Sequence, residues 1–349
     1  MENELRTGPW NLKDLETVTK NGQSVFSIFH CGGGSSMGYK LAGFDVIGGV
    51  EIDPEMMAIY KANHNPKHSY LMGVEEFNKI PNDQLPKELF ELDILDGSPP
   101  CSSFSTAGSR EKNWGKKTHF REGQTEQILD DLFFHFIDTA KKLKPKVVIA
   151  ENVSGLIKGN ARGYVKQIFA AFREVGYSTQ LFLLNASRMG VPQARERTFF
   201  IANRINAPKL KLEFNEEPIS ISKVVEQSQL NGKKINEKKL ESIYNKVAPG
   251  QDFRNIAEKV YGRRSVLAQK INRFKPLHTQ TASRRLVSDL GCYEISDITV
   301  IRGQSFPDDY NFKNLDQVYL CGMSVPPFMM QRVADEVYKQ WLRHTAHRT

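Results

Sequence analysis

Between residues 24 and 202 the chain alternates short apolar runs with longer amphipathic segments. The apolar runs predict strands, and they are SVFSIF, VIGGVEID, ELDILDG, KVVIAENV, TQLFLLN and RTFFIAN. The segments DPEMMAIYKANH, TEQILDDLFFHFIDTAKKL and GYVKQIFAAFREVG predict helices, and the last of them should stop at Gly176. Strands that alternate with helices favour an α/β fold with a doubly wound, mostly parallel sheet that is covered on both faces.

After Asn203 the sequence becomes polar, rich in lysine and only weakly periodic. From Asn203 to Lys275 there are sixteen Lys and Arg against eight Asp and Glu, so this segment accounts for the whole net charge of +8. A basic block beside a neutral body is typical of nucleic-acid binding, although a solvated lysine-rich face is an alternative interpretation. We therefore expect one domain from residues 1–202 and 306–349, and a small basic domain from residues 203–305.

The composition of the 349 residues, with 40% hydrophobic and 25% charged, is that of a globular protein. No stretch approaches the roughly 18 to 20 uninterrupted apolar residues of a membrane span, and the first twenty residues carry charges where a secretory peptide needs an apolar run. We expect a cytoplasmic protein, nucleoid-associated if bacterial. Its four cysteines form no CxxC pair, so neither a disulfide framework nor a metal site is expected.

Glycines follow the first predicted strand, at the edge where an open parallel sheet binds ligands. Phe29 precedes Gly32, Gly33 and Gly34, which allow the backbone to approach a ligand closely. Glu51 lies about 20 residues further on, where a carboxylate can accept the ribose hydroxyls of an adenosyl cofactor. A tight structural turn beside a surface acid would also explain this pattern.

The third and fourth of these strands end in a cysteine and a carboxylate. Pro99 and Pro100 fix the backbone just before Cys101 and so present it at the edge of the sheet, although a lone cysteine is more often a buried small hydrophobe. Glu151 follows KVVIA and is either the neighbour of a helix N-cap or a partly buried acid that exchanges a proton. We expect the thiolate and the carboxylate to face one cleft.

Two arginines, Arg195 and Arg197, stand two residues apart just before the last strand. In an extended chain residues i and i+2 lie on the same side, so both guanidinium groups could reach one ligand. A solvated basic turn is the alternative.

As a set, these segments resemble the DNA cytosine-5 methyltransferases, which use S-adenosylmethionine and release S-adenosylhomocysteine. The resemblance runs in order from about Phe26 to Gln331. Its pieces are Phe29 with the glycine turn and Ala42-Gly43-Phe44, then Glu51, SPPCSSFS, Glu151-Asn152-Val153, QARER from Gln193 to Arg197, FPDDY from Phe306, and GMSVPP from Gly322.

The resemblance implies a role for each matched residue. Cys101 would add to C6 of cytosine, Glu151 would bind the ring at N3, Arg195 would hold the base carbonyl and orient Glu151, and Arg197 would support the pocket. The implied cofactor contacts are Phe29, Gly32, Gly33, Gly34, Ser36, Glu51, Ile52, Asp96, Pro100, Ser324 and Val325. The implied contacts with the base and the DNA are Ser98, Ser102, Ser105, Arg110, Asn152, Val153, Gln193, Arg263 and Arg264.

The implied substrate is double-stranded DNA with the target cytosine flipped out of the helix. The basic segment from Ser102 to Gln124 would be a catalytic loop, with an ordinary solvated loop as the alternative. Residues 203–305 would recognise the DNA sequence through the major groove. We expect a monomer, with a cognate restriction endonuclease acting separately as a further partner. The helix after Pro327 should pack near the glycine turn.

Four positions depart from the family pattern. The family usually has an acid where Ser27 stands, a glycine where Cys31 stands, an acid that contacts the adenine where Gly73 stands, and an asparagine where Met323 stands. Fewer cofactor contacts would weaken binding of S-adenosylmethionine, but the sequence leaves that affinity open. The catalytic residues are retained.

Three other functions fit part of the pattern. A tRNA cytosine-5 methyltransferase shares Pro-Pro-Cys and a short recognition region. A catalytically impaired DNA-binding paralogue would bind DNA in a salt-dependent manner without methyl transfer. A nicotinamide dehydrogenase would explain the glycine turn and Glu51, but not Pro-Pro-Cys, Glu-Asn-Val or FPDDY.

Overall fold

The structure, a computed structural model, describes residues 7–100, 131–157, 162–282 and 285–343. The chain packs as two compact units, each built from several segments. The larger unit comprises Val18–Leu184, Glu196–Glu213 and Met330–Thr349, and the smaller unit comprises Met1–Thr17, Asn185–Arg195 and Phe214–Met329.

Strands and helices alternate through the first half of the described chain, as the hydrophobic pattern predicts. In chain order they are β1 (Ser24–Ile28), α1 (Gly34–Leu41), β2 (Asp45–Glu51), α2 (Pro54–His64), β3 (His68–Leu71), α3 (Val74–Lys79), β4 (Ile94–Gly97), α4 (Leu132–Leu143), β5 (Val147–Val153), α5 (Arg162–Glu174), β6 (Ser178–Asn185), β7 (Gln193–Ala194) and β8 (Glu196–Asn203). The second half contains β9 (Asn231–Lys234), α6 (Lys238–Ile243), α7 (Phe253–Tyr261), β10 (Ala268–Lys270), β11 (Leu277–His278), β12 (Arg285–Val287), β13 (Tyr293–Ile295), α8 (Asp297–Gly303), α9 (Gln317–Met323) and α10 (Pro327–Val337).

A seven-stranded sheet with the order β3-β2-β1-β4-β5-β8-β6 forms the centre of the larger unit. The pairs from β3 to β5 are all parallel, whereas β8 runs antiparallel to β5. The prediction of a doubly wound, mostly parallel sheet is confirmed. Ile28 pairs with both Val50 and Gly97, so the carboxyl ends of β1, β2 and β4 are level with one another.

Local signals explain where the helices of the larger unit begin and end. Asp53 caps α2 by accepting hydrogen bonds from the backbone N–H groups of Glu55 and Met56, and Pro54 occupies the first turn, where no N–H is needed. On α4 the buried side chains recur at three- and four-residue spacing and pack into the main hydrophobic core. The chain after α5 turns at Gly176, whose φ is +87°, as the sequence predicts.

The smaller unit has its own sheet and core. Strands β10, β12, β13 and β9 form a four-stranded sheet in that order, and β7 pairs with β11 in a separate parallel pair. Its core is built from buried residues of α6, α7 and the adjoining strands, including Leu240, Ile243, Phe253, Ala257 and Val287. A polar, lysine-rich sequence therefore still contains enough apolar residues to fold around a core.

The smaller unit differs from the expected domain of residues 203–305. The segment around Trp10 belongs to it, because the Trp10 indole donates to the Ser305 carbonyl (3.1 Å) and the Asp308 N–H donates to the Trp10 carbonyl (2.8 Å). Residues 185–195 belong to it because β7 pairs with β11.

None of the helices in the described part of the chain has the length and apolar character that a membrane span requires.

Candidate active site

A strained turn connects β1 to α1 at the carboxyl edge of the sheet. Phe29 and Cys31 have φ values of +56° and +51°, in the left-handed region, which costs a non-glycine residue about 1–2 kcal/mol. Gly33, at φ +91°, precedes the helix, and a Cβ there would lie 2.2 Å from His64 Nε2. Only glycine fits position 33, whereas Cys31 keeps a glycine-like backbone at a steric cost.

Glu51 ends β2 and binds the middle of this turn. Its Oε2 accepts the backbone N–H of Cys31 (2.9 Å), and its Oε1 accepts those of Ile52 (2.9 Å) and Asp53 (3.0 Å). Burial raises the pKa of Glu51 to about 7, and the hydrogen bonds from the backbone oppose that shift. A carboxylate offers about four acceptor positions, so one remains for a ligand hydroxyl.

Asp96 on β4 binds the two elements that flank the turn, β1 and α1. Its Oδ2 accepts the hydroxyls of Ser27 (2.6 Å) and Ser35 (2.7 Å), and its Oδ1 accepts the hydroxyl of Tyr39 (3.2 Å). Burial raises the pKa of Asp96 to about 6, against the effect of the three hydroxyl donors. Asp96 is 1% exposed. The expected direct contact between Asp96 and a cofactor stays a prediction.

Three aromatic side chains pack beside the turn, and the sequence did not predict their contacts. The ring of Tyr60 stacks between those of His30 (3.7 Å between centroids) and His64 (4.5 Å), and its hydroxyl lies 3.1 Å from that of Ser36. Burial lowers the pKa of His30 to about 4, so the ring is neutral at pH 7. Ser36, expected to contact the cofactor, thus faces Tyr60. The spacing of Ser35 and Tyr39, four residues apart on one helix face, was the available signal for the contacts with Asp96.

Glu151 forms a buried ion pair with Arg197. Arg197 Nε lies 2.8 Å from Glu151 Oε1, and about a tenth of each side chain is exposed. Desolvation lowers the pKa of Arg197, and the Glu151 charge opposes that shift. The pair forms because β5 continues through Val153 and runs antiparallel to β8, so that Val153 pairs with Arg197 and Glu151 with Phe199.

Asn152 connects this strand to the segment that leads into Cys101. Its side-chain Nδ2 donates to the Pro99 carbonyl (3.0 Å), and its backbone carbonyl accepts the Thr198 hydroxyl (3.1 Å). Ser98 and Pro100 lie at this same end of β4. Cys101, Ser102, Ser105 and Arg110 lie outside the described residues.

The two arginines are held in different ways. Arg197 makes the contact with Glu151 that the sequence led us to expect of Arg195. Arg195 is 1% exposed, and its guanidinium donates to the carbonyls of Gln280 (2.8 Å) and Gly322 (3.0 Å) in the smaller unit. The chain is not extended here: the Arg195 N–H donates to the Gln193 carbonyl (3.1 Å), and β7 and β8 pair in different sheets.

The other expected site residues of the smaller unit have different degrees of exposure. Gln193 is fully buried and binds the Gln304 side chain (2.6 Å) and the Gln280 N–H (2.9 Å). Ser324 and Val325 are buried after α9. Arg263 and Arg264 are exposed in the loop after α7, and Arg264 contacts Asn255 (2.9 Å) and Glu258 (3.3 Å). Their contacts with DNA stay predictions.

The sequence of this chain matches the model of one protein family. That family is described as C-5 cytosine-specific DNA methylase, and the match covers residues 23–339, which include the turn after β1, the carboxyl ends of β4 and β5, and most of the smaller unit. The chain belongs to the C-5 cytosine-specific DNA methylase family. As a member of that family it is a DNA cytosine-5 methyltransferase, and the resemblance noted in its sequence is confirmed.

Individual Type II methyltransferases are similar to this chain, two of them over 90% of its length. Type II methyltransferase M1.HphI of Haemophilus parahaemolyticus is 26% identical over 90% of this chain and 87% of its own length, and M.DdeI of Desulfomicrobium norvegicum is 28% identical over 90% and 88%. The match to M.NgoPII of Neisseria gonorrhoeae, at 32% identity, spans 55% of this chain and about half (51%) of that protein.

Solved structures of methyltransferases share the fold. A DNA modification methyltransferase encoded within an E. coli prophage superposes with a TM-score of 0.68 at 18% identity, over 91% of this chain and 99% of that chain. A DNMT2 mutant of Spodoptera frugiperda superposes with a TM-score of 0.61 at 16% identity, over 91% and 100%. At these identities the likeness concerns the fold alone.

Within this cytosine-5 DNA methylase, position 73 could accept the acid that the family pattern leads one to expect. Gly73 precedes α3 with φ −67°, a conformation open to any residue. A Cβ there would meet only Ile52 Cδ1, at 3.9 Å. Met323, a further departure, is the last residue of α9.

The residues around the turn fit an adenosyl methyl donor in their chemistry. The remaining acceptor position of Glu51 suits a ribose hydroxyl, and the turn brings backbone N–H groups to the start of α1. Among the described residues of this methyltransferase, no group of three or more His, Cys, Asp or Glu is arranged to hold a metal ion.

Proposed function

We propose that this protein transfers a methyl group from S-adenosylmethionine to C5 of a cytosine flipped out of a specific duplex DNA sequence, through a covalent bond between Cys101 and C6. The observation that carries the proposal is the ion pair of Glu151 with Arg197 beside the Asn152–Pro99 hydrogen bond. A buried acid, its cationic partner and the segment entering Cys101 thus meet at the ends of two neighbouring strands.

Cytosine C5 is a poor nucleophile, so a group must first add at C6. The Cys101 thiolate forms the S–C6 bond, and the electron pair of the C5–C6 double bond moves into the ring toward N3. Glu151 holds a proton at N3 and so neutralises the charge that develops there. Arg197 binds Oε1 of Glu151 and so orients the carboxyl group toward the base.

S-adenosylmethionine, when bound, supplies an electrophilic methyl group for C5. Glu51 and the backbone of the turn from Phe29 to Gly34 would hold its adenosyl portion. The C5 proton then leaves to water, its electron pair restores the C5–C6 double bond, and the Cys101 thiolate departs with the electrons of the S–C6 bond. The proton held at N3 returns to Glu151 in the same step, and the ring leaves as 5-methylcytosine. Cys101 and Glu151 thus return to their starting states, so Cys101 is a true catalyst.

The DNA target is proposed from family membership and charge. The relatives M1.HphI and M.DdeI are named Type II methyltransferases, so we propose that this protein modifies one sequence alongside a separately acting endonuclease. The exposed Arg263 and Arg264 lie in the basic segment and would contact DNA phosphates.

The test is incorporation of tritiated methyl from S-adenosylmethionine into mixed-sequence duplex DNA and into bulk tRNA, with wild type and Cys101→Ala. Label in DNA that is lost with Cys101→Ala is the expected result. Label in tRNA alone would select an RNA substrate. Label in neither, with salt-dependent DNA binding retained, would select a DNA-binding paralogue without turnover.

A further inference from the structure

The carboxylate of Asp96 joins the two sides of the strained turn. Ser27 lies on β1 before the turn, whereas Ser35 lies on α1 after it, and both hydroxyls donate to the same oxygen, Oδ2, at 2.6 and 2.7 Å. Tyr39, one helical turn further along α1, donates to Oδ1. One side chain therefore fixes the distance between the strand end and the helix start.

The turn needs such a constraint because its backbone is strained. Non-glycine residues in the left-handed region persist only where the surroundings over-determine them, and this turn has two, Phe29 and Cys31. Glu51 binds the Cys31 N–H from the β2 side, and Asp96 binds the flanks from the β4 side. Loss of either carboxylate would let the turn relax toward negative φ.

Asp96 and Ser27 are also direct partners across the sheet. They are paired in the register of β1 and β4, although 69 positions separate them in the sequence. The carboxylate therefore lies within one strand spacing of position 27, where the family pattern has an acid. Exchange of the two side chains would move the negative charge by only that spacing, about 5 Å.

We propose that Asp96 is a positioning residue that sets the affinity for S-adenosylmethionine, by fixing both flanks of the turn and supplying from β4 the carboxylate that Ser27 lacks. This inference rests on the proposed function, because it assigns the turn to the methyl donor. Asp96 acts through Ser27 and Ser35, so its loss should lower the fraction of molecules whose turn has the conformation that binds S-adenosylmethionine. The apparent dissociation constant rises in inverse proportion to that fraction.

Asp93 provides a matched control on the same stretch of chain. It is a buried carboxylate just before β4, and it also binds a serine of β1, accepting the Ser24 N–H (2.7 Å) and hydroxyl (3.3 Å), with Lys146 at 2.7 Å. It lies at the amino end of the sheet, away from the turn. A substitution of Asp93 reports the general cost of losing a buried carboxylate–serine contact.

The experiment measures binding of S-adenosylmethionine and S-adenosylhomocysteine by titration calorimetry, and kcat and KM by tritium transfer to DNA. The proteins are the wild type, Asp96→Ala, Asp93→Ala and the exchange variant Ser27→Asp/Asp96→Ser. For Asp96→Ala we expect Kd and KM for the donor to rise about tenfold while kcat at saturation changes less than about twofold. Asp93→Ala should melt at a lower temperature with unchanged donor affinity, and the exchange variant should recover to within about threefold of wild type.

The proposal is overturned if Asp96→Ala binds the donor as wild type does, if Asp93→Ala loses as much affinity, or if the exchange variant stays as weak as Asp96→Ala. If Asp96→Ala does not fold, Asp96→Asn replaces it under the same criteria, because the amide keeps the volume of the side chain. A wild type that binds neither compound would overturn the proposed function and this inference together. Wild-type binding with no effect of Asp96 would overturn the inference alone.

Discussion

The two arginines of the QARER segment show how differently the two units use the same side chain. Arg197 lies on a strand of the large sheet and pairs with the catalytic candidate Glu151, whereas Arg195 is buried in the smaller unit and binds two backbone carbonyls. They stand two residues apart, but the backbone turns from Gln193 to Arg195, and β8 begins only at Glu196. Spacing in sequence therefore predicts a shared function only where the strand itself continues.

Replacement of Arg197, unlike that of Arg195, should remove most of the methyl-transfer activity. Arg197→Ala should lower kcat for methyl transfer about 10³-fold, because Glu151 loses the cation that orients it and balances its charge. Affinity for S-adenosylmethionine should stay within about twofold, since Glu51 and Asp96 are unaltered. Methyl transfer at saturating donor and DNA is the measurement, with Arg197→Lys as the variant that keeps the charge. A kcat within tenfold of wild type for Arg197→Ala would remove this residue from the site.

Replacement of Arg195 should lower the stability of the protein. Arg195→Met keeps most of the side-chain volume but removes the two hydrogen bonds that Arg195 donates to the buried carbonyls of Gln280 and Gly322. We expect unfolding of the protein to become easier by about 3 kcal/mol. Denaturant titration followed by tryptophan fluorescence measures it, alongside kcat on the folded fraction. A fully stable but inactive Arg195→Met protein would show that Arg195 acts directly on the base.

The positions of Glu51 and Glu151 could be predicted from the sequence, because each follows from a single apolar run. Apolar runs ending in Glu51 and Glu151 predicted both carboxylates at one edge of the sheet, because parallel strands place their carboxyl ends together. The roles of Arg195 and Gln193 could not be predicted, because a bend at Arg195 depends on strand pairing over more than 80 positions. The contact between Ser27 and Asp96 likewise depends on sheet register. Cys101 lies outside the described residues, so its role stays a prediction.

Buried carboxyls make the larger unit sensitive to pH. The pKa of Asp96 is raised to about 6 and that of Glu51 to about 7, so the folded protein binds these protons more tightly than the unfolded chain does. Their stabilising contribution is therefore present at low pH and is lost as the pH rises through about 4 to 7. Asp96→Asn cannot ionise, so from pH 4.5 to 7.5 its stability should improve relative to wild type by about 2 kcal/mol. Denaturant titrations at both pH values measure this difference, and no change with pH would contradict it.

An acid at position 73 should raise the affinity for the methyl donor slightly. Gly73→Asp places a carboxylate where a Cβ has open space and where α3 begins, so the variant should fold at least as stably as wild type. By the family pattern this acid contacts the adenine, and we expect the donor to bind about threefold more tightly. Calorimetric titration with S-adenosylhomocysteine measures it, with Gly73→Ala as control. Equal affinities for the two variants would show that the adenine lies elsewhere.

In the proposed reaction Cys101 attacks C6 of the cytosine that Glu151 binds at N3, and Arg197 orients Glu151. It is tested most directly with duplex DNA in which 5-fluorocytosine replaces cytosine, because fluorine at C5 cannot leave as a proton and the Cys101–C6 bond then persists. With S-adenosylmethionine present, wild type should form a protein–DNA adduct that survives denaturing electrophoresis. Cys101→Ala should form none, and Arg197→Ala should form it far more slowly. An adduct of equal yield with Cys101→Ala would contradict the account.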